Sequence, residues 1–168
     1  MDRVEGIRGF VRVSEKLSTG GQPTADEIRA LAEQGYKAVV NLGLLDPTYC
    51  LDDEAGVVAS LGMEYRHIPV VFGDPQEEEL QALGAVLDHL AGRKTFVHCA
   101  ANKRASCLVA LYKESRDGWS AERGDAFIRQ VWEPDAVWSA FVAQVRRDRG
   151  LGSTGQTSRA VGGRCVDA

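Results

Sequence analysis

The sequence predicts an α/β domain built on a short, mainly parallel sheet flanked by helices. Three observations lead there. Short runs of β-formers alternate along the chain with apolar stripes at helical spacing, the order that covers a sheet on both faces. The run Tyr36–Leu42 (YKAVVNL) is mostly apolar, as a strand buried on both sides must be. The chain has 168 residues, 44% of them hydrophobic, which is one domain's length with enough apolar material for a core.

Taken in order, Phe10–Val13 is a short opening strand and Leu17–Pro23 a turn. Thr24-Ala-Asp-Glu27 has the form of a capping box, in which the Thr24 hydroxyl and the Glu27 carboxylate satisfy the first free N–H groups of a helix. That helix runs to about Gln34, and Gly35 fits the left-handed position just past its end. Strand Tyr36–Leu42 follows, then a loop over Gly43–Leu51 containing Pro47. Asp52–Leu61 is a second helix stopped by Gly62, and Met63–Val70 holds the next strand.

A third helix starts at Asp74-Pro75 and aligns Leu80, Leu83, Val86, Leu87 and Leu90 on one face, with Gly92 ending it. Thr95–His98 (TFVH) is a strand, after which the chain turns sharply into a helical run, Ala105–Glu114. Two more helices, around Ala121–Val131 and Asp135–Arg147, are separated by Glu133-Pro134. From Gly150 the composition shifts to Gly, Ser and Thr, so residues 150–168 are expected to be a flexible tail.

Charge narrows the function. With 24 acidic and 20 basic side chains the net charge is −4, which argues against a broad nucleic-acid footprint but leaves a local anion site open. No apolar run approaches the ~18 residues of a membrane helix. The N-terminal MDRVEGIRGF lacks the apolar segment of a signal peptide. The expectation is a cytoplasmic protein with neither a nucleic-acid nor a membrane partner. Cys50, Cys99, Cys107 and Cys165 form no Cys-x-x-Cys pair, and with three histidines there is no zinc spacing. Free thiols, no metal and no cofactor are expected.

The informative segment is Phe96-Val-His-Cys-Ala-Ala-Asn-Lys-Arg-Ala-Ser106. A strand ends at His98, Cys99 follows at once, and a helix begins within a few residues. That places Cys99 under a loop whose backbone N–H groups can converge at the positive end of a helix dipole. Such a site lowers a thiol pKa and binds an oxyanion, the two requirements of a phosphate-attacking thiolate. Arg104 adds a bidentate donor for phosphoryl oxygens. Asn102 supplies a left-handed residue where a phosphate loop often has glycine. Ser106 is placed to hydrogen-bond the sulfur, and His98 to orient the loop. Cys107 is either a second thiol that oxidises with Cys99 or a core residue, and its place in an apolar run favours the core. Asn41, near the end of the Val39-Val40 strand, is placed to approach the site from the neighbouring strand; the polarity of Gln22 and Thr24 is consistent with lining the pocket, though turn and cap chemistry explains them equally well. Trp132 and Trp138 most simply close the core. His67 and His89 lack a partner motif.

His-Cys followed by a short loop, an Arg and a Ser resembles the cysteine-dependent protein tyrosine phosphatase superfamily. Leu17-Ser-Thr-Gly-Gly-Gln-Pro-Thr24, Val39-Val-Asn-Leu42, His67-Ile-Pro-Val70, the Cys99 loop and Trp132-Glu-Pro-Asp-Ala-Val-Trp138 stand in the order of one bacterial branch of it. That branch is similar in fold to dual-specificity phosphatases and occurs alone or fused to metallo-β-lactamase-like hydrolases. The resemblance implies a phosphatase-like domain over residues 1–149 that hydrolyses a phosphate monoester through a cysteinyl phosphate on Cys99. Its ligand would be a phosphorylated small molecule or phosphoprotein. The loop amides of Ala100, Ala101, Asn102 and Lys103, together with Arg104 and Ser106, would hold the phosphate.

The resemblance also implies a general acid, an Asp on a separate loop. Asp74 is the one carboxylate in Pro69-Val-Val-Phe-Gly-Asp-Pro75. Asp74-Pro75 equally has the chemistry of an N-cap and first helical residue, and on that chemistry alone the cap is the stronger reading. In spacing, this sequence departs from the superfamily signature, which has five residues between Cys and Arg; four separate Cys99 from Arg104. Rhodanese-type loops have four, so sulfur transfer through a Cys99 persulfide is an alternative, and a non-catalytic anion-binding pseudophosphatase is another.

Overall fold

The structure, a computed structural model, describes residues 3–151. A 3₁₀ turn (Arg3–Gly6) precedes five strands: β1 (Val11–Ser14), β2 (Leu17–Gly20), β3 (Ala38–Asn41), β4 (Glu64–His67) and β5 (Thr95–His98). The helices are α1 (Ala25–Glu33), α2 (Glu54–Ser60), α3 (Glu77–His89), α4 (Lys103–Arg116), α5 (Ala121–Arg129) and α6 (Ala136–Asp148). The sheet order is β1-β2-β5-β3-β4, with only the β1–β2 pair antiparallel. The expected short, mainly parallel sheet flanked by helices is what forms. The expected tail falls, from residue 152, outside the described residues, as does Cys165.

Because side chains alternate along a strand, consecutive residues of the central strands feed different cores. Val40 and Val97 pack with Leu80, Leu83, Leu108 and Trp138 against α3, α4 and α6. Val39 and Phe96 pack with Ile28, Leu31 and Val58 against α1 and α2. Strand β5 lies between two parallel neighbours, and Gly20 and Asn41 are both in register with His98. Three strands therefore stop together at the residue before Cys99, the sheet edge where ligands of open α/β folds bind.

Local signals held well in several places. Thr24 and Glu27 make both bonds of the capping box, and Gly35, Gly62 and Gly92 have φ of +89°, +77° and +87° just past their helices. Two expectations are corrected. Leu17–Pro23 was expected as a turn, but Leu17–Gly20 is a strand buried at every position. Its hydroxyls, which suggest a turn, are satisfied inside the sheet: Ser18 Oγ lies 2.8 Å from the Tyr36 hydroxyl, and Thr19 Oγ1 accepts from Asn102 Nδ2 at 3.0 Å. The third helix does not begin at Asp74. Its N-cap is Gln76, whose backbone N–H donates to Glu79 Oε1 at 2.8 Å. The reciprocal bonding available to Gln76 and Glu79 outcompetes an Asp-Pro start two residues earlier. No described helix is long and apolar enough to cross a membrane.

Candidate active site

The loop from Cys99 to Asn102 hangs between the end of β5 and the start of α4. Cys99 is buried, and its N–H donates to Gly20 O at 3.3 Å. Asn102 has φ of +65° and is the N-cap of α4, so the left-handed residue falls where the sequence placed it. Its side chain bonds the protein through Nδ2, while Oδ1 is buried without a hydrogen-bond partner. Nδ2 donates to Gly9 O at 2.8 Å and to Thr19 Oγ1 at 3.0 Å, which pins the loop to β2 and to the turn before β1.

The loop has no glycine, yet it lies against two. Gln22 N–H donates to Ala100 O at 3.0 Å, and a Cβ on Gly21 would sit 2.6 Å from that same oxygen. The close approach of the loop to the segment after β2 is possible because Gly21 has no Cβ.

Arg104 lies one helical residue inside α4 and is only 5% exposed. Nη1 donates to Val70 O at 2.7 Å and Nη2 to the Tyr49 hydroxyl at 3.5 Å. The Phe72 ring covers the guanidinium, its centroid 5.9 Å away. Nε is buried without an acceptor, and none of the ion pairs among the described residues includes Arg104. A buried guanidinium with no counter-charge among the described residues and an unpaired Nε–H is costly to desolvate.

Lys103 is exposed and diverges from Arg104, with Nζ 5.3 Å from the centre of the Trp132 ring. Ser106 is buried, and its hydroxyl donates to Lys103 O at 3.0 Å. Cys107 is fully buried in the core; burial pushes its thiol up to about 12. Cys50, Cys99 and Cys107 are all free thiols.

Asp74 stands on the exposed loop between β4 and α3. Its Oδ1 accepts from Gln76 Nε2 at 2.8 Å, so its carboxylate does not cap the helix. The loop is fixed at two points before Asp74: Val70 O holds Arg104, and Phe72 O accepts from Trp138 Nε1 at 2.8 Å. Trp138, which the sequence assigned to the core, is buried and also ties α6 to this loop.

Two residues at the site, Tyr49 and Glu54, escaped the sequence reading. Tyr49 reaches Arg104 from the β3–α2 loop. Glu54 opens α2 and is 4% exposed, with Oε2 2.6 Å from His98 Nε2. Gln22, read as a turn residue, donates through Nε2 to Glu54 Oε1 at 2.7 Å. A Glu in the first turn of a helix has an ordinary explanation in the helix dipole, so nothing local marks Glu54 as buried. His98, expected to orient the loop, has its Nδ1 3.1 Å from Cys99 O. Asn41 serves the turn after β3, where its Oδ1 accepts from Gly43 N at 2.8 Å.

A family model described as a DSP-PTPase phosphatase fused to NAD+ kinase matches residues 11–136. A β-lactamase hydrolase-like protein of Xylella fastidiosa (strain Temecula1) is 31% identical over 105 residues, 61% of this chain and 24% of the relative. Its counterpart in Agrobacterium fabrum (strain C58) is 30% identical over 111 residues, 64% of this chain and 25% of the relative. The chain thus spans about a quarter of the length of these curated relatives.

Among solved structures, a Shewanella putrefaciens CN-32 protein described as a candidate phosphatase (DUF442) superposes with a TM-score of 0.79 at 26% identity, over 88% of this chain and 97% of that one. The core catalytic domain of the PP-IP phosphatase SIW14 of S. cerevisiae, solved with citrate, gives 0.69 at 16% identity, over 86% and 92%. PTPMT1 gives 0.70 at 18%, over 84% and 96%. The last two likenesses concern the fold alone.

Proposed function

The chain belongs to the DSP-PTPase family of cysteine-dependent phosphatases, and from that premise we propose that it hydrolyses a phosphate monoester through a cysteinyl phosphate on Cys99. The observation that carries this reading is the buried Arg104 Nε–H, left without a protein acceptor at the N-terminal turn of a long helix. In the scheme, the Cys99 thiolate attacks phosphorus in line and the P–O bond to the leaving group breaks. Backbone N–H groups from Ala100 to Arg104 and the Arg104 guanidinium hold the equatorial oxygens. Asp74 gives its proton to the departing oxygen. Water then attacks the phosphoenzyme, giving a proton back to the Asp74 carboxylate as the S–P bond breaks, which releases inorganic phosphate and regenerates the thiolate. The substrate is a phosphorylated small molecule or phosphoprotein, turned over in the cytoplasm, where thiols stay reduced. The catalytic unit spans residues 1–149.

A second reading, rhodanese-like sulfur transfer through a Cys99 persulfide, is favoured by one observation, the four-residue spacing from Cys99 to Arg104. One paired assay separates the two. Wild type and Cys99→Ser are given a generic aryl phosphate and, separately, thiosulfate with cyanide, across about pH 5 to 8. The expected result is phosphate release that disappears in Cys99→Ser. Asp74→Asn is then expected to slow alkyl phosphates far more than an aryl phosphate, whose leaving group needs little protonation. Cys99-dependent thiocyanate without phosphate overturns the proposal in favour of sulfur transfer. Neither product leaves an anion-binding protein without chemistry.

A further inference from the structure

Beneath the candidate nucleophile runs a closed circuit of hydrogen bonds that the scheme above does not use. His98 Nδ1 lies 3.1 Å from Cys99 O, and His98 Nε2 lies 2.6 Å from Glu54 Oε2. Glu54 Oε1 accepts from Gln22 Nε2 at 2.7 Å, and the Gln22 backbone N–H donates to Ala100 O at 3.0 Å. The circuit begins on the carbonyl of Cys99 and ends on the carbonyl of Ala100. His98 is fully buried and Glu54 nearly so.

The proton count is fixed by chemistry. A carbonyl oxygen only accepts, so Nδ1 carries a hydrogen. The short Nε2–Oε2 contact then holds one proton, whichever atom it sits nearer, and the pair is neutral overall. A buried carboxylate beneath a site meant for anions is otherwise unfavourable; here His98 balances it.

The mechanical consequence follows from the planar trans peptide, in which C=O and N–H point in opposite directions. Holding the Cys99 carbonyl on His98 aims the Ala100 N–H the other way. Holding the Ala100 carbonyl on Gln22 does the same for the Ala101 N–H. We propose that Glu54, with Gln22, is the positioning group of the Cys99 loop: acting through His98, it turns two successive carbonyls outward so that two amide N–H groups face the bound oxyanion. This inference rests on the reading of the loop as an oxyanion site.

The test uses inorganic phosphate as the probe, titrated against the amide resonances of Ala100 and Ala101, with the His98 imidazole ¹⁵N signals recorded alongside. Glu54→Gln keeps every link, because its amide oxygen accepts from Gln22 while its amide N–H donates to a neutral His98 that retains the Nδ1 hydrogen. Its phosphate affinity is expected to stay close to wild type, with Nδ1 protonated. Glu54→Leu breaks the circuit and is expected to weaken phosphate on the order of tenfold or more. Gln22→Ala serves where Glu54→Leu does not fold, with a smaller loss in the same direction.

A folded Glu54→Leu or Gln22→Ala protein that binds phosphate as wild type does overturns the positioning role while leaving the site intact. Glu54→Gln as weak as Glu54→Leu also overturns it, since charge rather than the bonded circuit would then matter. Wild type without phosphate binding removes the functional reading, and the aim of the amides falls with it.

Discussion

The guanidinium of Arg104 has three nitrogens that donate. Two are bound to the protein, at Val70 O and the Tyr49 hydroxyl, and the third has no partner. Fixing the guanidinium before a ligand arrives removes the entropy of ordering a long side chain at binding. The residue scale also separates the two thiols of the Cys99–Cys107 segment. Cys99 lies in the loop, whereas Cys107 is packed inside α4, where burial pushes its thiol up to about 12. A raised thiol pKa means the neutral form dominates far above neutrality, so Cys107 stays protonated and unreactive. Iodoacetamide at about pH 8 is expected to leave Cys107 unlabelled in the folded protein and to label it on unfolding, as read by peptide mass spectrometry. Labelling at the rate of an exposed thiol would show that α4 opens.

At the scale of elements, the Cys99 loop is a joint construction of β5, α4 and β2. Asn102 is tied to Gly9 and Thr19, and Ala100 to Gln22. Gly21 is the point where this leaves no room: a Cβ would lie 2.6 Å from Ala100 O and 3.1 Å from Arg8 O, both backbone atoms that no rotamer change can move. Gly21→Ala is expected to cost about 1–3 kcal/mol, measured by denaturant unfolding. It should also weaken phosphate binding, because relief requires the loop to shift. Unchanged stability and affinity would mean the two segments separate freely. The element scale also explains the moved helix start. Asp74-Pro75 carries a cap signal, but Gln76 and Glu79 satisfy the first N–H groups of α3, and Asp74 is left on an exposed loop.

Across the whole molecule, the site depends on elements distant in sequence. Trp138 on α6 donates to Phe72 O and packs against the Phe72 ring, which in turn covers Arg104. Helix α6 itself is held by Arg146, which donates to both Glu114 oxygens at 3.0 and 2.8 Å and pairs with Asp125 at 3.0 Å, joining α4, α5 and α6. Burial pushes the Glu114 carboxyl up, and Arg146 opposes that shift. Gly124 makes room for this carboxylate, since a Cβ there would fall well inside contact distance of Glu114 Oε2. Gly124→Ala is expected to destabilise the fold by about 1–3 kcal/mol by forcing a nearly buried ion pair apart, read as a lower denaturation midpoint. A midpoint equal to wild type would show that the pair reseats without loss.

Apart from β2, the order of strands and helices was legible in the sequence, as were the Thr24–Glu27 cap, the glycine stops and the left-handed Asn102 ahead of α4. Each is decided within a few neighbouring residues, by side-chain period, by capping or by a positive φ. Long-range packing decided the rest. Leu17–Gly20 became a strand because β1 and β5 enclose it, and Gly21 lets the loop's Ala100 carbonyl come close to the segment after β2. Glu54 became a partner of His98 across 44 residues of sequence. Burial of a charge depends on what folds over it, and a carboxylate in a helix's first turn has the same local pattern whether it meets solvent or a histidine.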